Sequence, residues 1–164
     1  MQEYSFSPIT PLDKEAIVEI FNYYVENSYA AYPEQPVPAE FFTHLYEASR
    51  NYPTTVARAR DTTVSGFCLL HPHNPMPSFR RTAEISYFIR PDLTGHGLGT
   101  RMLDIIIAAA RQQGIRTILA SISSLNEGSV RFHRQNGFAE CGRFCQVAEK
   151  RGIVFDTIWM QKFL

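Results

Sequence analysis

Asp92-Leu93-Thr94-Gly95-His96-Gly97-Leu98-Gly99-Thr100 joins two segments of different period. Before it, residues 82–90 are rich in β-formers and stop at Pro91, which reads as a central strand. After it, residues 97–113 carry Leu98, Met102, Ile105, Ile106 and Ala109 at helical spacing, with Gly114 as the stop. Gly95, Gly97 and Gly99 permit positive φ and close backbone approach. Several N–H groups can then converge on one anion at a helix N-terminus, with a dipole equivalent to about half a positive charge behind them. A pyrophosphate fits that arrangement. A dinucleotide-binding fingerprint needs G-x-G-x-x-G and an acid about twenty positions on. Here the spacing is G-x-G-x-G, and Ile115, Arg116 and Thr117 follow instead. The Gly-Lys-Ser/Thr of a P-loop is absent. Taken by itself, the stretch is also compatible with a glycine-rich turn that holds nothing.

The rest of the chain alternates in kind. Thr10, Pro11 and Asp13 open a helix whose apolar face is Ile17, Ile20, Phe21, Tyr24 and Val25. Prolines 33, 36 and 38 keep the following stretch extended or looped. A second helix is expected over about 38–49, then a hairpin from 54–59 and 63–70, then a loop over 71–81. Beyond the glycine turn and its helix come a strand at 116–122, a short helix at 126–136 and strands at 138–148 and 154–163. The expected order is α-α-β-β-β-α-β-α-β-β. That order predicts a mixed α/β (α+β) fold, a central twisted sheet with helices on both faces.

At 164 residues the chain suits one domain, 1–164, with no repeat or linker. Sixteen basic side chains balance sixteen acidic ones, so nothing in the charge favours nucleic acid or an anionic membrane. No apolar run reaches the roughly 20 residues that span a bilayer, and residues 1–11 lack a signal-peptide pattern. A cytoplasmic location is the expectation. Cys68, Cys141 and Cys145 lack a disulfide framework or a second Cys/His pair, so no metal is expected and the thiols read as buried or half-buried.

Thr94-Gly95-His96-Gly97-Leu98-Gly99 resembles the acyl-CoA pyrophosphate loop of the GNAT superfamily of N-acetyltransferases. Asn126-Glu127-Gly128-Ser129, Arg131-Phe132-His133 and Asn136-Gly137-Phe138 resemble that family's second signature. Phe21 to Val25, Tyr32, Pro36, Thr82 to Ile89 and the tail from Lys150 to Gln161 resemble its phosphinothricin/methionine sulfoximine acetyltransferase branch. Three features depart from the branch: Thr94 replaces Arg or Gln, Val154 stands where Trp is usual, and the loop 71–81 is unlike the usual substrate loop.

The resemblance implies the GNAT fold, acetyl-CoA as donor, a homodimer, and direct acetyl transfer to the amine of an amino-acid-like molecule. It makes Gly95, His96, Gly97, Leu98, Gly99 and Thr100 the pyrophosphate loop, with Asn126 and Ser129 beside the pantetheine arm. Tyr87, Phe88 and Ile89 would serve through backbone groups on a strand that splays from its neighbour. Amine attack on a thioester needs a proton acceptor, donors for the carbonyl oxygen and a proton for the thiolate. Glu84 is the expected base, acting through a water, and His133 the expected acid because His titrates near neutrality. Arg80 and Arg81 could fork onto an acceptor carboxylate, and Tyr32 and Phe79, with Tyr29, could wall the acceptor pocket. A protein N-terminus, a polyamine or an aminoglycoside stays open as acceptor, as does a non-catalytic acyl-CoA-binding module.

Overall fold

The structure is a computed structural model describing residues 3–164. In chain order its elements are β1 (Ser5–Ser7), α1 (Lys14–Asn27), α2 (Glu40–Ala48), β2 (Thr54–Arg58), β3 (Val64–Pro72), β4 (Thr82–Ile89), α3 (Leu98–Gln112), β5 (Thr117–Ser123), α4 (Glu127–Gln135), β6 (Ala139–Lys150) and β7 (Ile153–Phe163). The strands form one seven-stranded sheet in the order β1-β2-β3-β4-β5-β7-β6. β4 and β5 run parallel, and every other neighbouring pair is antiparallel. The sequence order lacked β1, whose three residues are too few to show a period of two; it pairs with 56–58 of β2. β3 also runs on through His71 and Pro72, past the expected strand end at residue 70, and this sets His71 across from Glu84.

The entry to α1 is anchored twice. The Asp13 carboxylate accepts from Thr10 N at 2.8 Å and Thr10 Oγ1 at 3.1 Å, and it also pairs with Arg58 of β2. Residues 11–13 form a 3-10 turn, so the α-helix proper begins at Lys14.

Alternation along the strands separates two cores. Ala57, Cys68, Leu70, Ala83, Ile85, Ile118 and Ala120 face α3 and its Met102, Leu103 and Ile106. Val56, Phe67 and Leu69 face α1 and α2 through Ile17, Phe21, Val25 and Phe42. The buried stripe of α3 is turned from the expected one: Leu103, Ile107 and Ala110 are buried, while Ile105 is 37% exposed. Of the thiols only Cys68 is buried; Cys141 and Cys145 are exposed on edge strand β6.

The feature that makes a site is where β4 and β5 part. They pair only over 82–84 with 117–119. Beyond Glu84 and Leu119, β4 stays with β3 to Ile89 and β5 stays with β7 to Ser123. Between the parted ends the facing backbone edges, 85–89 and 120–123, have no ladder to each other among the described residues.

Lys150, at the end of β6, locks the chain beside this gap. Its side chain is fully buried, and Nζ donates to the carbonyls of Val25 at 2.7 Å, Ser28 at 2.8 Å and Ala31 at 2.8 Å. Two of those carbonyls lie at and just beyond the C-terminus of α1, where a cation is favoured by the helix dipole. Desolvation, then the neighbouring Arg151, lowers the Lys150 pKa. Lys150→Met would orphan buried acceptors, so it is expected to cost about 2–3 kcal/mol of stability. A urea titration reads this as a lower midpoint; an unchanged midpoint would mean that water replaces the ammonium.

Candidate active site

A cleft of about 1170 Å³ runs through the gap between β4 and β5 and opens on both faces of the sheet. On the α3 face it is lined by Gly95, Gly97, Gly99 and Thr100. Gly95 has φ 79° and Gly97, the N-cap of α3, has φ 83°, so both need glycine. An added Cβ at either would meet nothing within 4 Å, which leaves room for a ligand against the backbone. Gly99 differs: a Cβ there would stand 3.1 Å from the Phe132 ring, so this glycine lets α3 and α4 pack closely. Leu98 is 2% exposed and belongs to the core, so only its backbone can take part. His96 is exposed and does not line the cleft. Thr94 turns its hydroxyl back onto the Pro91 carbonyl at 2.9 Å, away from any anion role through Oγ1.

Tyr87, Phe88 and Ile89 border the gap as the splayed-strand reading requires. One free carbonyl there is already capped: Tyr24 donates its hydroxyl to Ile89 O at 2.5 Å. Burial, with Tyr23 and Asp92 nearby, pushes the Tyr24 pKa up to about 12, so it remains a donor. Asn126 caps α4, its Oδ1 accepting from Ser129 N at 3.2 Å; its amide nitrogen stays available to the cleft.

The opposite face carries Glu84, Ser86 and Ser121, with Tyr32 reaching Ser121 at 3.5 Å between the two hydroxyl oxygens. Tyr29 and Tyr32 pack on Phe155, with centroids 5.9 and 6.1 Å away. Glu84 is half-buried and hydrogen-bonded to His73, Nδ1 to Oε1 at 2.7 Å. Phe79 lies outside the lining, its ring 5.8 Å from that of His73. Arg80 and Arg81 are exposed and do not reach the cleft. Arg80 donates to the Pro77 carbonyl at 3.2 Å, and the Arg81 carbonyl receives Arg116 N and Thr117 N just before the stretch where β4 and β5 pair. The expected carboxylate fork is therefore not assembled. Sequence reading missed Tyr24, His71, His73, Ser121, Phe155 and Trp159. The only local signal was two histidines flanking Pro72 in a loop already seen to depart from the branch pattern.

His133 is 2% exposed. Its Nδ1 donates to Ser129 O at 2.8 Å, which leaves Nε2 to accept the Tyr87 hydroxyl at 3.1 Å. Burial lowers its pKa from 6.5 to about 4, against the opposing bond to Ser129. The ring is thus neutral at pH 7 and is not the imidazolium acid expected of a histidine titrating near neutrality. A proton at this end sits on the Tyr87 hydroxyl, whose own pKa burial raises well above its usual value. Because the folded state holds His133 neutral, the unfolded chain binds the extra proton between pH 6.5 and about 4, and stability falls as pH drops through that window, by up to about 3 kcal/mol. Urea midpoints across that range should show the fall, and His133→Asn should flatten its His-dependent part. An identical slope in the variant would contradict the buried neutral ring.

The family model for the acetyltransferase (GNAT) family matches residues 17–138. An L-methionine sulfoximine/L-methionine sulfone acetyltransferase of Pseudomonas aeruginosa is 36% identical over 151 residues, covering 91% of this chain and 88% of that protein. An L-amino acid N-acyltransferase of Escherichia coli is 32% identical, covering 91% of this chain and 87% of its own. Among solved structures, a ribosomal-protein-alanine N-acetyltransferase from Brucella melitensis superposes with a TM-score of 0.90 at 32% identity, covering 98% and 99% of the two chains. A phosphinothricin acetyltransferase from Sinorhizobium meliloti, solved in complex with acetyl-CoA, superposes with a TM-score of 0.91 at 26% identity, covering 98% of this chain and 88% of its own. The chain belongs to the GNAT family of acetyltransferases and is an acetyl-CoA-dependent N-acetyltransferase.

Proposed function

We propose that this enzyme moves an acetyl group from acetyl-CoA directly to the primary amine of a small amino-acid-like acceptor, of the methionine sulfoximine, methionine sulfone or phosphinothricin type. The observation that carries the reading is the two-sided cleft. Its α3 side is a glycine-lined helix N-terminus, and its other side presents a single carboxylate, Glu84, across the parted strands. Acetyl-CoA supplies the thioester. The open glycines at 95 and 97, with the first N–H groups of α3, suit its pyrophosphate. The free edges at 85–89 suit its amides and the acetyl carbonyl. Asn126 and Ser129 line the same channel.

Glu84 takes the acceptor's proton through a water, a task for which a half-buried carboxylate at the mouth of the gap is placed. The departing sulfur takes up the proton that the acceptor nitrogen sheds as the amide forms, because the one proton of the Tyr87 hydroxyl is committed to His133 Nε2 at 3.1 Å. His133 thus holds the Tyr87 hydroxyl at the border of the gap and does not act as an imidazolium. The enzyme works in the cytoplasm as a single domain and pairs as a homodimer, for which the exposed edge strand β6, with Phe144 and Val147 outward, offers apolar surface.

A second reading is acetylation of a peptide N-terminus. It is favoured by the exclusion of Arg80 and Arg81 from the cleft, because a peptide amine has no α-carboxylate to hold. Release of free CoA thiol separates the readings. Purified protein, acetyl-CoA and a panel of methionine sulfoximine, methionine sulfone, phosphinothricin, a polyamine, an aminoglycoside and an alanine-initiated peptide are the components. Release with an amino-acid analogue above the no-acceptor background is the expected result. Release with the peptide alone favours the second reading, and silence across the panel with acetyl-CoA bound contradicts both.

A further inference from the structure

We propose that His73 is the positioning residue for Glu84 in acetyl transfer. The inference rests on the reading of Glu84 as proton acceptor and deepens it. His73 follows the end of β3 and sits beside Glu84 on the acceptor face. Its Nδ1 stands 2.7 Å from Glu84 Oε1, in the short range of a charge-assisted bond. The imidazole is itself held. Phe79 meets it edge-on at 5.8 Å, and Trp159 of β7 meets it edge-on at 6.1 Å. Trp159 is on this face because its neighbours Ile158 and Met160 point into the α3-side core. Three elements of the fold thus converge on one ring, and the ring fixes one oxygen of one carboxylate.

The other oxygen is left for the chemistry. Nε2 of His71, across the ladder from Glu84, stands 4.0 Å from Oε2, beyond a direct hydrogen bond. Nδ1 of His71 is directed to the Pro72 carbonyl at 3.2 Å. No hydrogen bond to Oε2 occurs among the described residues, so Oε2 is the atom free to meet a water on its way to the acceptor amine. A glutamate held at one oxygen cannot swing its carboxylate out of the gap, and misplacement of about 1 Å at a reacting group can cost about 100-fold in rate. His73 also gives this chain's departing loop a purpose: the segment 71–81 supplies no carboxylate fork, and instead carries the group that aims the base.

The test compares His73→Phe, which keeps ring packing but loses the donor, with His73→Asn, whose amide can replace Nδ1–H. Glu84→Gln and the double variant Glu84→Gln/His73→Phe complete a cycle. Steady-state rates are read with acetyl-CoA and methionine sulfoximine, along with acetyl-CoA affinity and the thermal midpoint. His73→Phe should lower kcat about 10-fold or more with acetyl-CoA affinity and midpoint unchanged, and His73→Asn should recover most of it. In the Glu84→Gln background, His73→Phe should change nothing further. Full kcat in His73→Phe, or the same loss with and without the Glu84 carboxylate, overturns the proposal. Full kcat in Glu84→Gln alone is a different failure: it removes Glu84 from the mechanism and the basis of this inference with it.

Discussion

The structure depends on two parallel strands that stop pairing after three residues. Buried backbone groups must find partners, and a sheet that parts in its middle leaves two edges unsatisfied. Here the edges at 85–89 and 120–123 face a cleft instead of each other. That arrangement is stable only because each strand keeps its outer neighbour, β3 for β4 and β7 for β5. β7 can flank β5 because the last hairpin inserts its second strand, leaving β6 at the edge. A ligand with amides along its length would find donors and acceptors along those edges.

The parted strands also divide the chemistry between two environments. On one face, His133 and Tyr87 are packed among Phe132 and Phe138, and burial keeps the imidazole neutral and the phenol protonated. On the other, Glu84 is half-exposed and held by a histidine. The buried proton-holding groups thus lie on one face of the cleft and the hydrogen-bonded carboxylate on the other. Lys150 serves the second face from a distance. By tying Val25, Ser28 and Ala31 together it fixes the segment that carries Tyr32 to the cleft.

Much of this was legible in the residues because the physics was local. Gly95 and Gly97 encode positive φ, Pro91 ends the strand, and Asn126 caps its helix through its own side chain. The alternation of helices and strands gave the mixed sheet. What escaped was set by register and by distance along the chain. β1 is too short to show a period. The stripe of α3 differs from the expected one at Ile105 because Ile and Leu sit all round that helix, and only the sheet decides which side is covered. Arg80 and Arg81 suit an anion by type, but both are exposed and lie outside the cleft lining, just beyond the 3-10 turn at 77–79. His73 acquires meaning only when the β3–β4 ladder places it by Glu84, and Trp159 only when β7 passes beside them. His133 was found by position, while its neutrality follows from burial that no linear pattern displays.

The central claim is that acetyl-CoA completes the sheet where β4 and β5 part. Amide hydrogen exchange with and without acetyl-CoA tests it most directly. The account predicts slowed exchange at 85–89 and at the glycine turn, 95–100, with little change in β1, β2 or β6. Binding without protection of the parted strands, or protection confined to another surface, would contradict it.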